Sequence, residues 1–573
     1  MMGNPRGTPG DVTDARVSPG QHSGRPGTAD GHGGPSPRLL GFGVTPGVVI
    51  VAATVLALAL RLFTLTRPGF LTGVSEYDDG VYLGSAIRLT QGALPYRDFA
   101  FVQPPGMLLL MTPAALIARL TTTTAALAFA RVLTVLASTA CVPLAGNLVR
   151  YRGALVTAVT CGILAIYPDD IAAAHTLLLE PWMNLCCLLA ANAAFRRGRL
   201  ARPARLAWAG AALGVAGAVK FWAVVPAVIL LVACLIVADQ RARRVRAYAG
   251  GLVAGFVLPV APFALAAPAT FVRSTLLDQA SRVGTVVPLS LRLTHVTGLI
   301  DVVNTGGRLS LLAGSKSLFS NSVVAGLSTV SAGWLPFALT ALGVAAIAVG
   351  YGRSPRRRSH LEWFSLATLV LASVTILSYS AFFYHYPAFV APWLALTAGG
   401  ATAGLAQSLA PDRAPNRARS LRVRQAMLAA FAAVIAAMTV IQVAEVAPAT
   451  ITETTAIGRL IPKGACVVTD ETSLTISADR FATPGPGCSD VIDSLATTLV
   501  FSHGVSVQGG AAKSAPVVAA WQAIFSRSDY VWLSGGNPRR IPWTRALATW
   551  FHANFRPVGP SDPTLGQLYV RER

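Results

Sequence analysis

Long apolar segments recur along this chain and are separated by short loops rich in arginine. Eleven of them approach the roughly 20 residues that a helix needs to cross the hydrocarbon of a bilayer. They lie near 44–66, 126–149, 154–168, 177–195, 205–220, 222–238, 249–267, 332–351, 363–381, 387–407 and 426–446. Because unpaired backbone groups are costly in lipid, this pattern constrains the chain to an α-helical polytopic membrane protein.

Arginine clusters between the apolar segments predict which side of the membrane each loop occupies. Short cytoplasmic loops carry an excess of Lys and Arg. The clusters lie at 150–152, 196–199, 241–246, 353–358 and 413–424. They share one side if the segment 104–120, which is short and opens with two prolines, lies along the outer surface instead of crossing. This arrangement predicts a multi-pass plasma-membrane protein with a cytoplasmic N-terminus and an external C-terminus.

The strongly basic charge has two readings. The chain has 573 residues, with 47 Lys and Arg against 25 Asp and Glu, so its formal net charge is +22. Such a charge is also typical of nucleic-acid-binding proteins. The arginine clusters, however, fall in the loops assigned to the cytoplasm, where membrane orientation accounts for them. We therefore predict the lipid bilayer as a partner and no nucleic acid.

Composition divides the chain into three predicted parts. Residues 1–40 are rich in Gly, Pro, Ser and Asp. Such a segment cannot bury a core, which indicates a disordered cytoplasmic tail, and it lacks the features of a signal peptide. Residues 41–446 are the predicted transmembrane domain, with a first external loop at 67–125. Residues 447–573 are the predicted extracytoplasmic domain.

Short alternating elements within 447–573 predict a small α/β domain. The predicted strands and helices are 465–470, 517–526, 530–533, 543–555 and 567–570. Cys466 and Cys488 lie in this domain, and an oxidising compartment would allow them to form a disulfide. Its tryptophans at 521, 532, 543 and 550 are expected mainly in the core, with stacking on sugar rings as the alternative.

The first external loop concentrates acidic residues in a chain that has few of them. Glu76, Asp78 and Asp79 lie within four positions, directly after the first apolar segment. A carboxylate close to a second one has its pKa raised, which suits it to act as a general base. The alternative is structural, because an Asp before a helical run caps it. Asp78 or Asp79 would then cap a predicted helix at 80–91.

Four segments of the membrane domain carry motifs that resemble those of the GT-C superfamily. They are Asp78-Asp79-Gly80-Val81-Tyr82, Tyr96-Arg97-Asp98-Phe99 with Gln103-Pro104-Pro105-Gly106, His175-Thr176-Leu177-Leu178-Leu179-Glu180-Pro181, and Tyr384-His385-Tyr386-Pro387 with Ala391-Pro392-Trp393-Leu394. The superfamily comprises integral-membrane glycosyltransferases, among them the protein O-mannosyltransferases and the lipid A aminoarabinose transferases. The resemblance covers roughly 44–407 and implies a GT-C transmembrane fold.

The resemblance implies an inverting glycosyltransferase that uses a polyprenyl-phosphate-linked sugar on the extracytoplasmic face. Asp78 takes the position of the catalytic Asp in that family. Asp79 stands where Glu is usual, and Glu180 stands where Asp is usual and would orient acceptor or donor. An ion pair with a basic residue at the membrane rim is the alternative for Glu180. A divalent metal at Asp78 and Asp79 is left open, and no other cofactor is expected.

A departing phosphate needs cations, since negative charge develops on it. The candidates are Lys220, Arg282 and His385. Lys220 has a snorkelling anchor as its alternative, and His385 has a place in an interfacial aromatic belt. The remaining predicted substrate-binding residues are Tyr82, Tyr96, Arg97, Gln103, His175 and Tyr386. For Arg97 a solvated surface position is the favoured alternative.

The sugar and the acceptor stay open. Abundant Ala, Arg and Pro suggest a bacterium with GC-rich DNA, and the resemblance then points to mannosyl or arabinosyl transfer in cell-wall biogenesis. The acceptor would be a glycan, a glycolipid or a protein. A transporter or flippase for polyprenyl-linked sugars is one competing hypothesis, which predicts ionisable residues at mid-membrane and internal repeats. A non-catalytic scaffold is another, and it predicts that Asp78 is dispensable.

Overall fold

A computed structural model describes residues 44–280, 287–300, 335–353, 358–409, 417–481, 487–535 and 540–572. The predicted tail at 1–40 lies outside the described residues. The helices up to residue 300 are α1 Pro46–Leu65, α2 Tyr77–Thr90, α3 Gly106–Leu120, α4 Thr123–Val149, α5 Ala154–Ile166, α6 Pro168–Ala174, α7 Leu179–Ala194, α8 Pro203–Val219, α9 Val224–Ile236, α10 Arg241–Ala266, α11 Pro268–Val272, α12 Asp278–Ala280 and α13 Leu289–Val296. Then follow α14 Leu335–Gly352, α15 His360–Ser378, α16 Ala391–Leu409 and α17 Arg417–Val446. A two-stranded hairpin, β1 Phe195–Arg196 and β2 Arg199–Leu200, connects α7 to α8.

A helix occupies each of the predicted apolar segments, so the helical polytopic fold is confirmed. Within the described residues, five helices are long and apolar enough to cross a membrane by themselves. A sixth span is possible if α5 and α6, which meet at an angle of 52°, count as one broken span. The number of crossings and the orientation of the termini stay predictions.

Small residues bring the membrane helices into close contact. Gly210 and Gly214 on α8 face Gly251 and Gly255 on α10, and a Cβ at any of the four would collide with the backbone of the opposite helix. Lipid supplies no hydrophobic driving force between helices, so backbones that approach this closely are a main source of stabilising contact. The α8–α10 pair is therefore a fixed frame for the end of α8, where Lys220 follows.

Buried ion pairs also connect the helices. Arg61 of α1 is fully buried and contacts Asp170 of α6 at 2.5 Å, while Ser138 of α4 donates to the same carboxylate oxygen at 2.8 Å. Arg61 thus faces protein, as its place in an apolar segment requires. The pair joins the bent α5–α6 unit to the first helix.

Helix α2 begins earlier than the predicted residue 80. Glu76 is its N-cap and accepts a hydrogen bond from the Tyr77 N–H, which places Asp78 and Asp79 in the first turn. Carboxylates in a first turn interact favourably with the positive end of the helix dipole. Both aspartates therefore lie inside the helix, and neither is its cap.

The C-terminal region contains the predicted small α/β fold. Its sheet has the order β3-β4-β6-β5, with β3 parallel to β4 and the other pairs antiparallel. The bounds are β3 Val467–Thr469, β4 Tyr530–Leu533, β5 Phe555–Asp562 and β6 Gly566–Arg571, with helices α18 Thr455–Gly458, α19 Thr472–Ser477, α20 Ser494–Phe501, α21 Ala515–Ser526 and α22 Arg545–Asn554.

The predicted strands and helices of this region are present, and β5, α18, α19 and α20 were not predicted. Strand β5 lies at an edge of the sheet, where its prolines 557 and 560 need not donate to a neighbour. Cys466 and Cys488 form the expected disulfide. Trp521 and Trp532 are fully buried in two separate hydrophobic clusters, and Trp543 and Trp550 pack against the cluster of Trp521, so core packing is their role.

Candidate functional site

The first turn of α2 separates its two aspartates. Asp78 is half-buried, whereas Asp79 is fully buried. Asp79 contacts Arg131 of α4 at 2.5 Å and accepts a hydrogen bond from the Leu177 N–H at 2.6 Å. Asp79 therefore joins three segments of the membrane domain, and Asp78 is the aspartate of the turn that retains access to solvent.

Arg131 orders the loop before α2. Besides Asp79, its guanidinium donates to the Phe70 and Gly73 carbonyls at 2.7 and 2.9 Å and to the Ser75 hydroxyl at 2.7 Å. A buried guanidinium that donates to several acceptors fixes the geometry of the groups around it. The start of α2, with Asp78, is fixed in place by this contact.

Three of the predicted site residues meet in a second buried cluster. Glu180, in the first turn of α7, is fully buried. Its Oε1 contacts the Lys220 Nζ at 2.5 Å, and its Oε2 contacts the His385 Nδ1 at 3.0 Å. Buried carboxylates need such partners, since an unpaired charge is strongly destabilised away from water. Glu180 thus forms an ion pair, which was the alternative for this residue. Its partner is Lys220, the residue predicted to bind phosphate.

Aromatic rings enclose the Lys220 ammonium. Its Nζ lies 3.8 Å from the centre of the Trp222 ring and 4.3 Å from that of Tyr386. These two rings also contact each other edge-on at 4.4 Å. Cation–π contacts and the carboxylate hold the ammonium in one position. Lys220 therefore does not extend along the helix as a free interfacial anchor would.

Consecutive residues join this cluster to the start of α2. The Tyr384 hydroxyl donates to Glu76 Oε2 at 2.9 Å, while the neighbouring His385 contacts Glu180. Burial and the nearby Asp78 carboxylate raise the pKa of Glu76 to about 7. Glu76, Asp78, Tyr384, His385, Glu180 and Lys220 form a single chain of neighbouring polar groups, which we call the acid–lysine cluster.

The titration of Glu76 gives a prediction for stability. Its pKa is about 7 in the folded chain against 4.5 as the ordinary value, so between these pH values the folded state binds more protons than the unfolded state. Stability linked to Glu76 is therefore present below pH 4.5 and lost as the pH rises to about 7. We expect the melting temperature of the purified chain to fall, relative to that of Glu76→Gln, between pH 5 and pH 8. If the melting temperatures of the two proteins change by the same amount across that range, the prediction is wrong.

The other predicted site residues have varied surroundings. Tyr82 is buried edge-on against Phe101, and Tyr96 is buried at a φ of 67° with its hydroxyl donating to the Gln103 carbonyl. His175 is buried, with its Nδ1 3.3 Å from the Ile171 carbonyl and its ring 5.6 Å from that of Phe70. Arg97 is half-exposed and pairs with Asp98 at 2.8 Å. Arg282 lies outside the described residues.

Several residues of this region were not predicted. Arg131 could have been found from the sequence, since a charged residue inside an apolar segment usually has a functional or structural role. Glu76 was noted among the acids of the first external loop and Tyr384 in a quoted motif, but their contact joins positions 308 residues apart and has no local signal. Asp169 pairs with His295 at 2.9 Å beside the cluster, which sequence alone did not indicate. Among the described residues no group of three or more His, Cys, Asp or Glu side chains is arranged to hold a metal ion.

The C-terminal region packs directly on α2. A Cβ at Gly80 would collide with the backbone of Thr472 and Ser473 at the start of α19. The Tyr77 hydroxyl donates to Asp493 at 2.7 Å, and the Arg540 guanidinium lies 4.1 Å from the centre of the Tyr77 ring. The residue just before Asp78 is thus held by the C-terminal region.

Comparison with solved structures defines the fold. The chain is similar to the crystal structure of ArnT from Cupriavidus metallidurans bound to undecaprenyl phosphate, with a TM-score of 0.55 and 14% sequence identity. The match covers 91% of this chain and 97% of the ArnT chain. The structure of ArnT in the apo state matches the same fractions of both chains with a TM-score of 0.53. The chain has the GT-C fold. The Archaeoglobus fulgidus oligosaccharyltransferase, another structure of this fold, has a TM-score of 0.48 at 16% identity, over 92% of this chain and 74% of its own.

The GT-C fold confirms the resemblance inferred from the motifs and extends it beyond residue 407. The similarity to ArnT includes most of the C-terminal region, because it covers nine-tenths of the chain. Comparison of the sequence with protein-family models and with curated proteins gives no significant match.

Proposed function

We propose that this chain is an inverting glycosyltransferase that moves a sugar from a polyprenyl-phosphate donor to a cell-envelope acceptor. The observation that carries the proposal is the acid–lysine cluster. Glu180 holds both Lys220 and His385, and Tyr384 donates to Glu76 at the start of α2. These contacts bring a buried lysine from a distant segment close to the first turn of α2, where the half-buried Asp78 lies. A cation for a leaving phosphate and a base for an attacking hydroxyl are the two groups that this reaction requires.

Lys220 and His385 are the donor-phosphate ligands in this proposal. Glu180 takes one contact from each, so it orients both side chains. Negative charge grows on the bridging oxygen as the sugar–phosphate bond breaks, and a fixed cation stabilises it without reorganisation. Glu180 acts as a positioning residue, and Tyr386 closes the aromatic wall around Lys220.

Asp78 is the general base in this proposal. It removes the acceptor proton as the hydroxyl attacks the sugar carbon on the face opposite the phosphate, which inverts the configuration. Asp79 is held by Arg131 and Leu177 and fixes the first turn of α2. ArnT, a protein of the same fold, was crystallised with undecaprenyl phosphate, which supports a donor of the polyprenyl-phosphate class.

The test is sugar transfer in isolated membranes that contain the full chain. Radiolabelled polyprenyl-phosphate mannose and polyprenyl-phosphate arabinose are supplied in turn, and label is followed into glycan, glycolipid and protein fractions. Label that leaves the polyprenyl phosphate for one fraction identifies both donor and acceptor class. Label that crosses the membrane while it stays on the lipid would favour the flippase instead.

Removal of the phosphate cation should lower transfer strongly. We expect Lys220→Gln to reduce kcat/KM for the donor by about 100-fold, since a fixed cation at the leaving group is lost. Lys220→Arg keeps the charge and should recover part of the rate. Lys513→Gln, at an exposed lysine of the C-terminal region, is the matched control and should transfer at the wild-type rate. Equal donor kinetics for Lys220→Gln and the control would exclude Lys220 from the phosphate site.

A further inference from the structure

A pocket lies where the C-terminal region meets the first loop, at the far end of α2 from Asp78. Its volume is about 440 Å³, within the range of about 300–1,000 Å³ that small-molecule sites occupy. Its walls come from the ends of α2 and α3, the start of α4 and two stretches of the C-terminal region. The lining includes Ile87, Arg119, Thr123, Lys463, Asp479 and Arg480.

The lining carries an excess of positive charge. Arg119, Lys463 and Arg480 contribute three cations, and Asp479 contributes the one acid. Arg119 donates to the Thr90 carbonyl at 3.1 Å, and Arg480 donates to the Ile461 and Asp479 carbonyls at 2.7 and 2.8 Å. None of the three cations forms an ion pair with any residue that the structure describes. Backbone contacts therefore hold two of the cations in place without neutralising them.

The acid of the pocket is already engaged. Asp479 Oδ1 accepts a hydrogen bond from the Thr123 N–H at 2.9 Å, and the Thr123 hydroxyl donates to the Ile476 carbonyl at 2.7 Å. These contacts join the C-terminal region to the start of α4 and keep the wall of the pocket fixed. The net positive field of the cavity is thus built into the packing of the two regions, and clustered cations in a concave site attract anions.

The position of the pocket relates it to the reaction. Ile87 lies nine residues along α2 from Asp78, which corresponds to about 13 Å of helix. An oligosaccharide or the head of a glycolipid can span that distance while it presents one hydroxyl to Asp78. The donor phosphate, in contrast, is assigned to Lys220 at the opposite end of α2.

We infer that this pocket binds a phosphate or carboxylate group of the acceptor and so sets the distance between that group and the hydroxyl that receives the sugar. The assignment to the acceptor rests on the proposed function. The anion site itself rests on the pocket and its three cations. An anionic lipid headgroup offers the same chemistry, so the experiment separates the two sources.

The test is binding, measured without donor, so that it does not depend on transfer. The full chain is placed in phosphatidylcholine nanodiscs and titrated with trigalacturonate carrying a neutral 2-aminobenzamide label, followed by fluorescence anisotropy. Maltotriose with the same label is the neutral probe of equal length. We expect the acidic probe to bind at least about tenfold more tightly than the neutral one and to weaken as salt rises.

Two double variants locate the site. Lys463→Gln with Arg480→Gln removes two pocket cations and should weaken the acidic probe by about tenfold or more. Lys513→Gln with Arg545→Gln removes the same charge from exposed positions of the same region and should leave the affinity unchanged. No preference of the wild type for the acidic probe, or equal affinity loss in the two double variants, overturns the anion site.

Nanodiscs that contain phosphatidylglycerol identify the source of the anion. If headgroups occupy the pocket, the acidic probe loses affinity for the wild type but not for the variant that lacks the pocket cations, and the assignment to the acceptor is overturned. If both proteins respond equally to the lipid, the pocket is open to the acceptor, as inferred. Failure of sugar transfer with intact probe binding would remove the proposed function and leave the anion site.

Discussion

Asp78→Asn should reduce sugar transfer by about 10²- to 10⁴-fold, the loss expected when a general base is removed from the step in which a hydroxyl attacks. The amide has the shape of the carboxylate and suits the first turn of α2, but it cannot take up the acceptor proton. Asp78 is also half-buried in a turn whose other aspartate is engaged with Arg131. The loss should therefore appear in kcat, with little change in the KM of the donor, because the donor phosphate is assigned to Lys220.

A physical readout shows that the Asp78→Asn protein is intact. Asp78 is one of the charges that raise the pKa of Glu76, so its removal should move the titration of Glu76 to lower pH. The change of melting temperature with pH, compared with that of the wild type, measures this shift. Asp239→Asn is the matched substitution at an exposed carboxylate, 71% accessible, and should transfer at the wild-type rate.

Unchanged transfer by Asp78→Asn would remove the general base and return weight to the scaffold hypothesis, which predicts that this residue is dispensable. A loss shared with Asp239→Asn would point to the level of protein in the membrane instead of the chemistry. Immunoblotting of the same membranes supplies the correction for that level.

The membrane fold followed from the sequence because its causes are local. Each apolar segment satisfies its own backbone hydrogen bonds as a helix, so segment length and composition predict where helices form. The α/β character of the C-terminal region was equally local, since its strands are short apolar runs such as Tyr530–Leu533. Strand β5 was not predicted because it contains prolines and exposed residues, and only its pairing with β6 makes it a strand.

The site was predicted as a set of residues but not as a set of contacts. Glu180, Lys220 and His385 were each named, yet Lys220 lies 40 residues and His385 205 residues from Glu180 along the chain. Packing of α7, α8 and the segment before α16 brings them together, and such pairing leaves no periodic trace in the sequence. The different surroundings of Asp78 and Asp79 could not be predicted for the same reason, because the partner of Asp79 is a residue of α4.

Arg131→Met should cause the largest loss of stability among the substitutions considered. The side chain is fully buried and donates to Phe70, Gly73, Ser75 and Asp79, so its removal leaves the Asp79 carboxylate buried without its cation. Loss of one partner from a buried ion pair costs about 3–5 kcal/mol. We expect a large drop in melting temperature and in the amount of chain recovered from detergent as a monodisperse protein.

A second variant separates the ion pair from the ordering of the loop. Replacement of a buried ion pair by apolar residues of similar volume is often neutral or stabilising, so Arg131→Met combined with Asp79→Leu should recover much of the melting temperature. The recovered protein would still lack the donors to Phe70, Gly73 and Ser75 that fix the loop before α2. We therefore expect it to fold and yet to transfer sugar slowly, because Asp78 is no longer held in position at the start of the helix. Recovery of both stability and transfer would mean that the loop is ordered by other contacts, of which the packing of Gly80 against α19 and the Tyr77–Asp493 hydrogen bond are the candidates.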